Sequence, residues 1–359
     1  MPIALNAPLA WKQADADQTR LLQALQGNIL KGHGRPYAAH IFFKLDPAKL
    51  ALSRRAMREL ANYHITHAHQ QLLGTQRFQD TGKSAGGFVH VALSFKGYQA
   101  LGAAAGAPAD ADFQGGMKAP DRVALSDPPV STWEPAFQQD LHGVVLVAHD
   151  SAGDTAALTA SVHELLSDAG ATVVHVQRGA ALRNAAGEGI ENFGYVDGRS
   201  QPLLLKEDIT KEAELAGMVR WDPTFPLATA LVKDPGAPVG DTVSHGSFFV
   251  FRKLEQDVRG FKLREQQVAD VLGLTGTARE LAGSLGERSK PYDPGFNIRA
   301  GSLYLSRMIK RFGGDVKLGL AAYHGGPGHV LKWKKAGKRG VPDGSKKYVE
   351  KVLAARELF

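Results

Sequence analysis

Short runs of alternating hydrophobic and polar residues, separated by stretches with helical spacing, set the expected elements of this chain. Residues 37–45 (Tyr-Ala-Ala-His-Ile-Phe-Phe-Lys-Leu) read as a strand. Pro47 then suits a first helical turn, and Leu50, Met57 and Leu60 give part of an apolar stripe. A second strand over 88–95 sets Phe88, His90, Ala92 and Ser94 against Val89, Val91, Leu93 and Phe95, and a short helix follows at 97–101. A loop rich in Gly, Ala, Pro and Asp fills 103–129. Trp133 precedes a strand at 141–149, a helix at 155–168 and a strand at 171–177. Ser247–Arg252 reads as a further strand leading into an amphipathic helix over 254–272. This order predicts an α+β protein: an α+β unit first, then a ferredoxin-like βαββα order with its last strand still missing. The expected division is an N-terminal arm over 1–25, a first unit over 26–135, a second over 136–285 and a helical segment over 286–359.

Composition narrows the chemistry. With 359 residues and 43% hydrophobic residues, the chain is long enough for two or three cores. It has no cysteine, which excludes disulfides, thiolate metal sites and a thiol nucleophile. The first 24 residues lack an apolar core segment, and no run approaches a membrane span, so a cytoplasmic protein is expected. Charge is uneven. Of the 43 basic and 36 acidic residues, 16 and 6 lie from Glu287 onward, leaving a slightly acidic body joined to a basic tail. Lys332, Lys334 and Lys335 around Trp333 could meet nucleic acid, but a solvated helix face is the better reading. His64, His67 and His69 do not share one helical face and read as a helix end near the negative pole of its dipole.

One segment carries candidate chemistry. Asn192–Pro202 (Asn-Phe-Gly-Tyr-Val-Asp-Gly-Arg-Ser-Gln-Pro) places Asp197 in an aromatic-rich run. A carboxylate among apolar walls is costly to ionise, so its pKa moves readily. Gly194 and Gly198 permit close backbone approach or a turn, and Arg199 and Ser200 supply a cation and a small donor. The structural alternative is an Asp-Gly turn between two elements.

The segment resembles the Gly-x-x-Asp-Gly signature of the DyP-type (dye-decolorising) heme peroxidases. The resemblance extends from Gln26 to about Leu285: Gln26-Gly-Asn-Ile-Leu-Lys-Gly-His-Gly-Arg35 is similar to the family's opening motif, Leu203–Val232 to its following insertion, and Gly246–Val258 to a wall of the heme pocket. It implies two ferredoxin-like units in a DyP-type α+β barrel arrangement, the second lacking its last strand, with heme b in the second unit and with hydrogen peroxide and an organic reductant as partners. Asp197 would be the distal acid and base. Gly194, Gly198, Arg199 and Ser200 would border the heme, and Arg252 would meet a propionate. The family's proximal Phe-His-Ala-His-type segment and its Arg-Arg-Gly motif do not occur, which predicts impaired turnover. His245 is the candidate substitute axial ligand, against the alternative of an ordinary loop histidine.

From about 277 the chain resembles the C-terminal half of the lysozyme-like lytic transglycosylases. Ala322–Gly328 (Ala-Tyr-His-Gly-Gly-Pro-Gly) is similar to that family's Ala-Tyr-Asn-Ala-Gly-Pro-Gly run, with His324 at the Asn position. The family's Glu-Ser motif is missing, so no acid is placed to protonate a leaving group. The alternative function is therefore a peptidoglycan-binding or degenerate transglycosylase module, with Tyr323, His324 and Tyr348 lining a sugar groove and the basic tail facing an anionic cell-wall polymer. An inactive chimera of the two families is a further alternative, and homo-oligomerisation is left open.

Overall fold

The computed structural model describes residues 3–119, 125, 127–185, 187–193, 196, 202–216, 224–271 and 304–356. The chain divides into two compact units, one of Met1–Arg183 with Gly198–Lys253 and one of Asn184–Asp197 with Leu254–Phe359. Among the described residues, no helix is long and apolar enough to cross a membrane.

The first unit is built on four antiparallel strands: β1 (Tyr37–Lys44), β2 (Phe88–Leu93), β3 (Gly143–His149) and β4 (Thr172–Ala180), in the order β2-β3-β1-β4. Helices α1 (Ala16–Ala24), α2 (Leu50–Glu59), α3 (Ala68–Thr81), α4 (Ala152–Asp168) and α5 (Lys206–Ala216) belong to the same unit. Connections β1-α2/α3-β2 and β3-α4-β4 complete a ferredoxin-like unit between residues 37 and 180. The expected boundary at 135/136 therefore falls inside one sheet. Strands 143–149 and 172–180 both pair with β1 instead of opening a second unit. Alternation of residues marks strands but not which strands pair, and this pairing spans more than a hundred residues.

One face of the sheet is the core. Ala39, Ile41, Phe43, Val89, Val145 and Val147 are buried against Leu60, Val162 and Leu166 of the helical layer. The register slips between Phe42 and Phe43, which oppose His175 and Val173, so Val174 is the extra residue of a bulge. The slip lets Val173 and Val176, three positions apart, both pack on that core. Where β2 ends, an ideal Cβ on Gly97 would stand 2.0 Å from the carbonyl oxygen of His142, so only glycine fits.

A second core joins the N-terminal arm to α1, α3 and the residues around α5: Leu9, Leu21, Leu22, Leu25, Leu72, Leu205 and Leu227 are buried together. Asp15 and Gln18 cap α1 reciprocally, a contribution of about 1 kcal/mol. His67 sits at the start of α3, where its ring accepts the Gln70 amide, and not at the end of α2 as the sequence suggested. The chain turns extended at Ile65, which gives this histidine a new helix to cap.

The second unit contains α6 (Val258–Val271), helical residues 304–311, and α7 (Val316–Gly325), α8 (Pro327–Lys335) and α9 (Asp343–Arg356). Met308, Phe312, Leu320, Ala321, Ala322, Val330 and Val349 form its core. Gly326, with φ of 83°, makes the sharp junction that turns α7 into α8.

Candidate functional site

The sheet's second face carries His40 and Phe42 on β1 and His90 on β2. Leu146 of β3 pairs with both His40 and His90, so the two histidines flank it in one row across the sheet. Residues 247–253 lie over this face. The strand expected at Ser247–Arg252 keeps its alternation, with Phe249 and Phe251 turned inward while Phe248 and Val250 are exposed, yet it joins no sheet among the described residues. Phe249 stands 6.3 Å from the His40 ring and 6.1 Å from that of His90. Phe251 meets Phe42 at 4.9 Å and stacks on Phe137 at 5.6 Å. Side-chain packing holds this segment over the sheet, helped by a hydrogen bond from the Ser247 hydroxyl to the Ala230 carbonyl at 2.7 Å and by ion pairs at its end: Arg252 with Asp127, and Lys253 with Glu134.

Burial holds the histidines of this region neutral. The pKa of His33 falls to about 4, first through desolvation and then through Arg35, His40 and His90. Those of His40 and His90 are lowered chiefly by desolvation. The His90 Nδ1 lies 3.0 Å from the Gly27 carbonyl, which suits a protonated Nδ1 and a neutral ring. Among the described residues, no group of three His, Asp or Glu is arranged to hold a metal ion.

The residues expected at the heme site are distributed unevenly. Asp197, Gly194, Gly198, Arg199 and Ser200 lie outside the described residues. Arg252 is described, and its guanidinium is engaged by Asp127. His245 lies in a two-residue ladder with Val232 and Lys233, and its buried Nδ1 has no hydrogen-bond partner among the described residues.

In the helical unit the structure brings Tyr323, His324 and Tyr348 together. His324 lies on Tyr348 with ring centroids 4.6 Å apart and planes 19° from parallel, and its Nδ1 is 3.3 Å from the Ser345 hydroxyl. Burial, followed by the neighbouring Tyr323, raises the pKa of Tyr348. Tyr323, 37% exposed, meets Tyr304, 41% exposed, at 5.6 Å. Tyr304 escaped sequence reasoning, since nothing in its helical stripe marks it as part of a site 19 residues away.

Comparison with known proteins gives two matches to family models: the DyP dimeric alpha+beta barrel domain over residues 24–183, and the transglycosylase SLT domain over 270–342. The multifunctional dye peroxidase DyP2 of Amycolatopsis sp. is 42% identical over 286 residues, covering 79% of this chain and 60% of that protein. A dye-decolorizing peroxidase of Mycena epipterygia is 31% identical over 271 residues, covering 74% and 47%. Among solved structures, a DyP-type peroxidase of Anabaena sp. superposes with a TM-score of 0.70 at 35% identity, over 77% of this chain and 59% of that one. The chain thus spans about three-fifths or less of the length of these relatives.

Proposed function

We propose, for a chain that carries a DyP-type peroxidase domain in its N-terminal region and a transglycosylase SLT domain in its C-terminal part, a heme-dependent peroxidase lineage that oxidises organic substrates with hydrogen peroxide. The similarity to the Amycolatopsis dye peroxidase over most of the chain carries this reading. Heme b is the cofactor it implies. His245 suits the group in one respect, because its Nδ1 has no hydrogen-bond partner among the described residues and would give none up to act as a ligand. Arg252 would have to leave Asp127 before it could meet a propionate. Heme, when bound, supplies the redox chemistry toward peroxide.

The remaining work falls to side chains. Asp197 would take the proton that peroxide loses and return it to the departing oxygen. Arg199 would oppose the negative charge formed there, Ser200 would donate a hydrogen bond, and Gly194 and Gly198 would leave room for the bound group. Within these 359 residues the family's histidine segment and Arg-Arg-Gly motif have no counterpart, and slow turnover is the expected consequence. Peroxide-dependent dye oxidation by the heme-loaded chain tests this reading. Asp197→Asn should lower kcat by about a hundredfold or more, and an unchanged rate would contradict the role of Asp197. In an inactive chimera of the two domains, neither protein would oxidise dye.

A second reading is favoured by the ring grouping of Tyr304, Tyr323, His324 and Tyr348. It is a peptidoglycan-binding module in which an anionic wall polymer is the partner and no placed glutamate cleaves it. Cell-wall sacculi should retain the chain without releasing muropeptides, and Tyr323→Ala should weaken the retention.

A further inference from the structure

The helical residues 304–311 present two different sides. Leu305, Met308 and Phe312 follow each other at helical spacing into the core. Tyr304, Arg307 and Arg311 repeat the same spacing one position earlier and are exposed, with Lys310 exposed beside both arginines. None of the three cations forms an ion pair among the described residues. Arg307 and Arg311 are a like-charge pair at i and i+4, an arrangement that opposes the helix carrying it. The imbalance reaches the whole segment: residues 304–356 contain 13 Lys and Arg against 3 Asp and Glu. Charge kept on a helix face against the helix's own stability calls for a partner that neutralises it.

We infer that Tyr304, paired with Tyr323, and the cations Arg307, Lys310 and Arg311 form one binding site for an acidic polysaccharide. A sugar ring lays its CH face on the half-exposed tyrosines, and carboxylates along the polymer meet the guanidinium groups, which grip planar anions in a fork. The site rests on the saccharide reading of this unit, with its anionic polymer, and adds to it the side chains that meet the sugar rings and the carboxylates. Tyrosines beside cations can also stack bases; the similarity of residues 270–342 to the transglycosylase SLT domain is what favours a glycan here.

The test is binding of the full chain to three probes at several salt concentrations: an oligogalacturonate, a neutral chito-oligosaccharide, and single-stranded DNA of matched charge. The oligogalacturonate is expected to bind most tightly. Tyr304→Ala should weaken it about tenfold. The double variant Arg307→Gln with Arg311→Gln should reduce the slope of log K against log salt by about one to two. Circular dichroism confirms that each variant is folded, which surface positions allow. Equal binding of the neutral and acidic sugars would overturn the acidic class while leaving the saccharide reading in place. Binding of DNA as tight as that of the uronate, with or without an effect of Tyr304→Ala, would overturn the glycan assignment. Absence of binding to either sugar would overturn the saccharide reading together with it.

Discussion

Phe251 meets Phe42 edge-on, with ring centroids 4.9 Å apart and planes at 65°. This contact links a segment that has lost its sheet to a strand that sits in the middle of one. With no ladder hydrogen bonds among the described residues to share the load, the aromatic contacts of Phe249 and Phe251 are the main hold on 247–253, beside the ion pairs of Arg252 and Lys253. Phe251→Ala is expected to destabilise the first unit by about 2–4 kcal/mol, read from urea unfolding. A loss below about 0.5 kcal/mol would mean that the segment is held by something else.

Acid should act on the same region. The pKa values of His33, His40 and His90 lie below that of a free imidazole, so the unfolded chain binds protons that the folded chain refuses. Their contribution is complete above the ordinary histidine pKa of 6.5 and is lost as pH falls from there toward the value of about 4 given for His33. His33 alone accounts for about 3 kcal/mol across this window. Chemical denaturation at stepped pH should show the decline, and His33→Gln should flatten it. A decline of equal size in that variant would assign the effect elsewhere.

Gly97 gives a sharper test of packing. A methyl group at this position would collide with the His142 carbonyl oxygen, a backbone atom that cannot rotate away. Gly97→Ala is therefore expected to cost about 2–4 kcal/mol despite its better helix propensity. Thermal melting decides it, since a raised Tm would show that the β2–β3 connection is looser than these distances imply.

Much of the fold was legible because β1 to β4 each show the pattern that their burial requires. What escaped was pairing. A short continuous apolar run says that Leu141–His149 is a strand, but it does not say that Val145 lies beside Ile41, and so the second pair of strands was assigned to a second unit. The 247–252 run shows the converse, since Phe249 and Phe251 keep the alternation of a strand with no hydrogen-bonded neighbour strand among the described residues. His67 was misplaced by one helix because nothing local announces the break at Ile65. In the sugar-groove set, adjacency of Tyr323 and His324 and the similar motif were enough to name three residues. Tyr304 required the packing of one helix on another, which no spacing rule supplies.

The proposed heme ligation rests on His245, whose Nδ1 has no hydrogen-bond partner among the described residues. Titration of the purified chain with hemin, followed by absorbance, tests it most directly. The account predicts a sharp Soret band that saturates at one heme per chain and is lost in His245→Ala while the far-ultraviolet circular dichroism is unchanged. A broad band like that of free hemin, or a sharp one that survives the substitution, would contradict it.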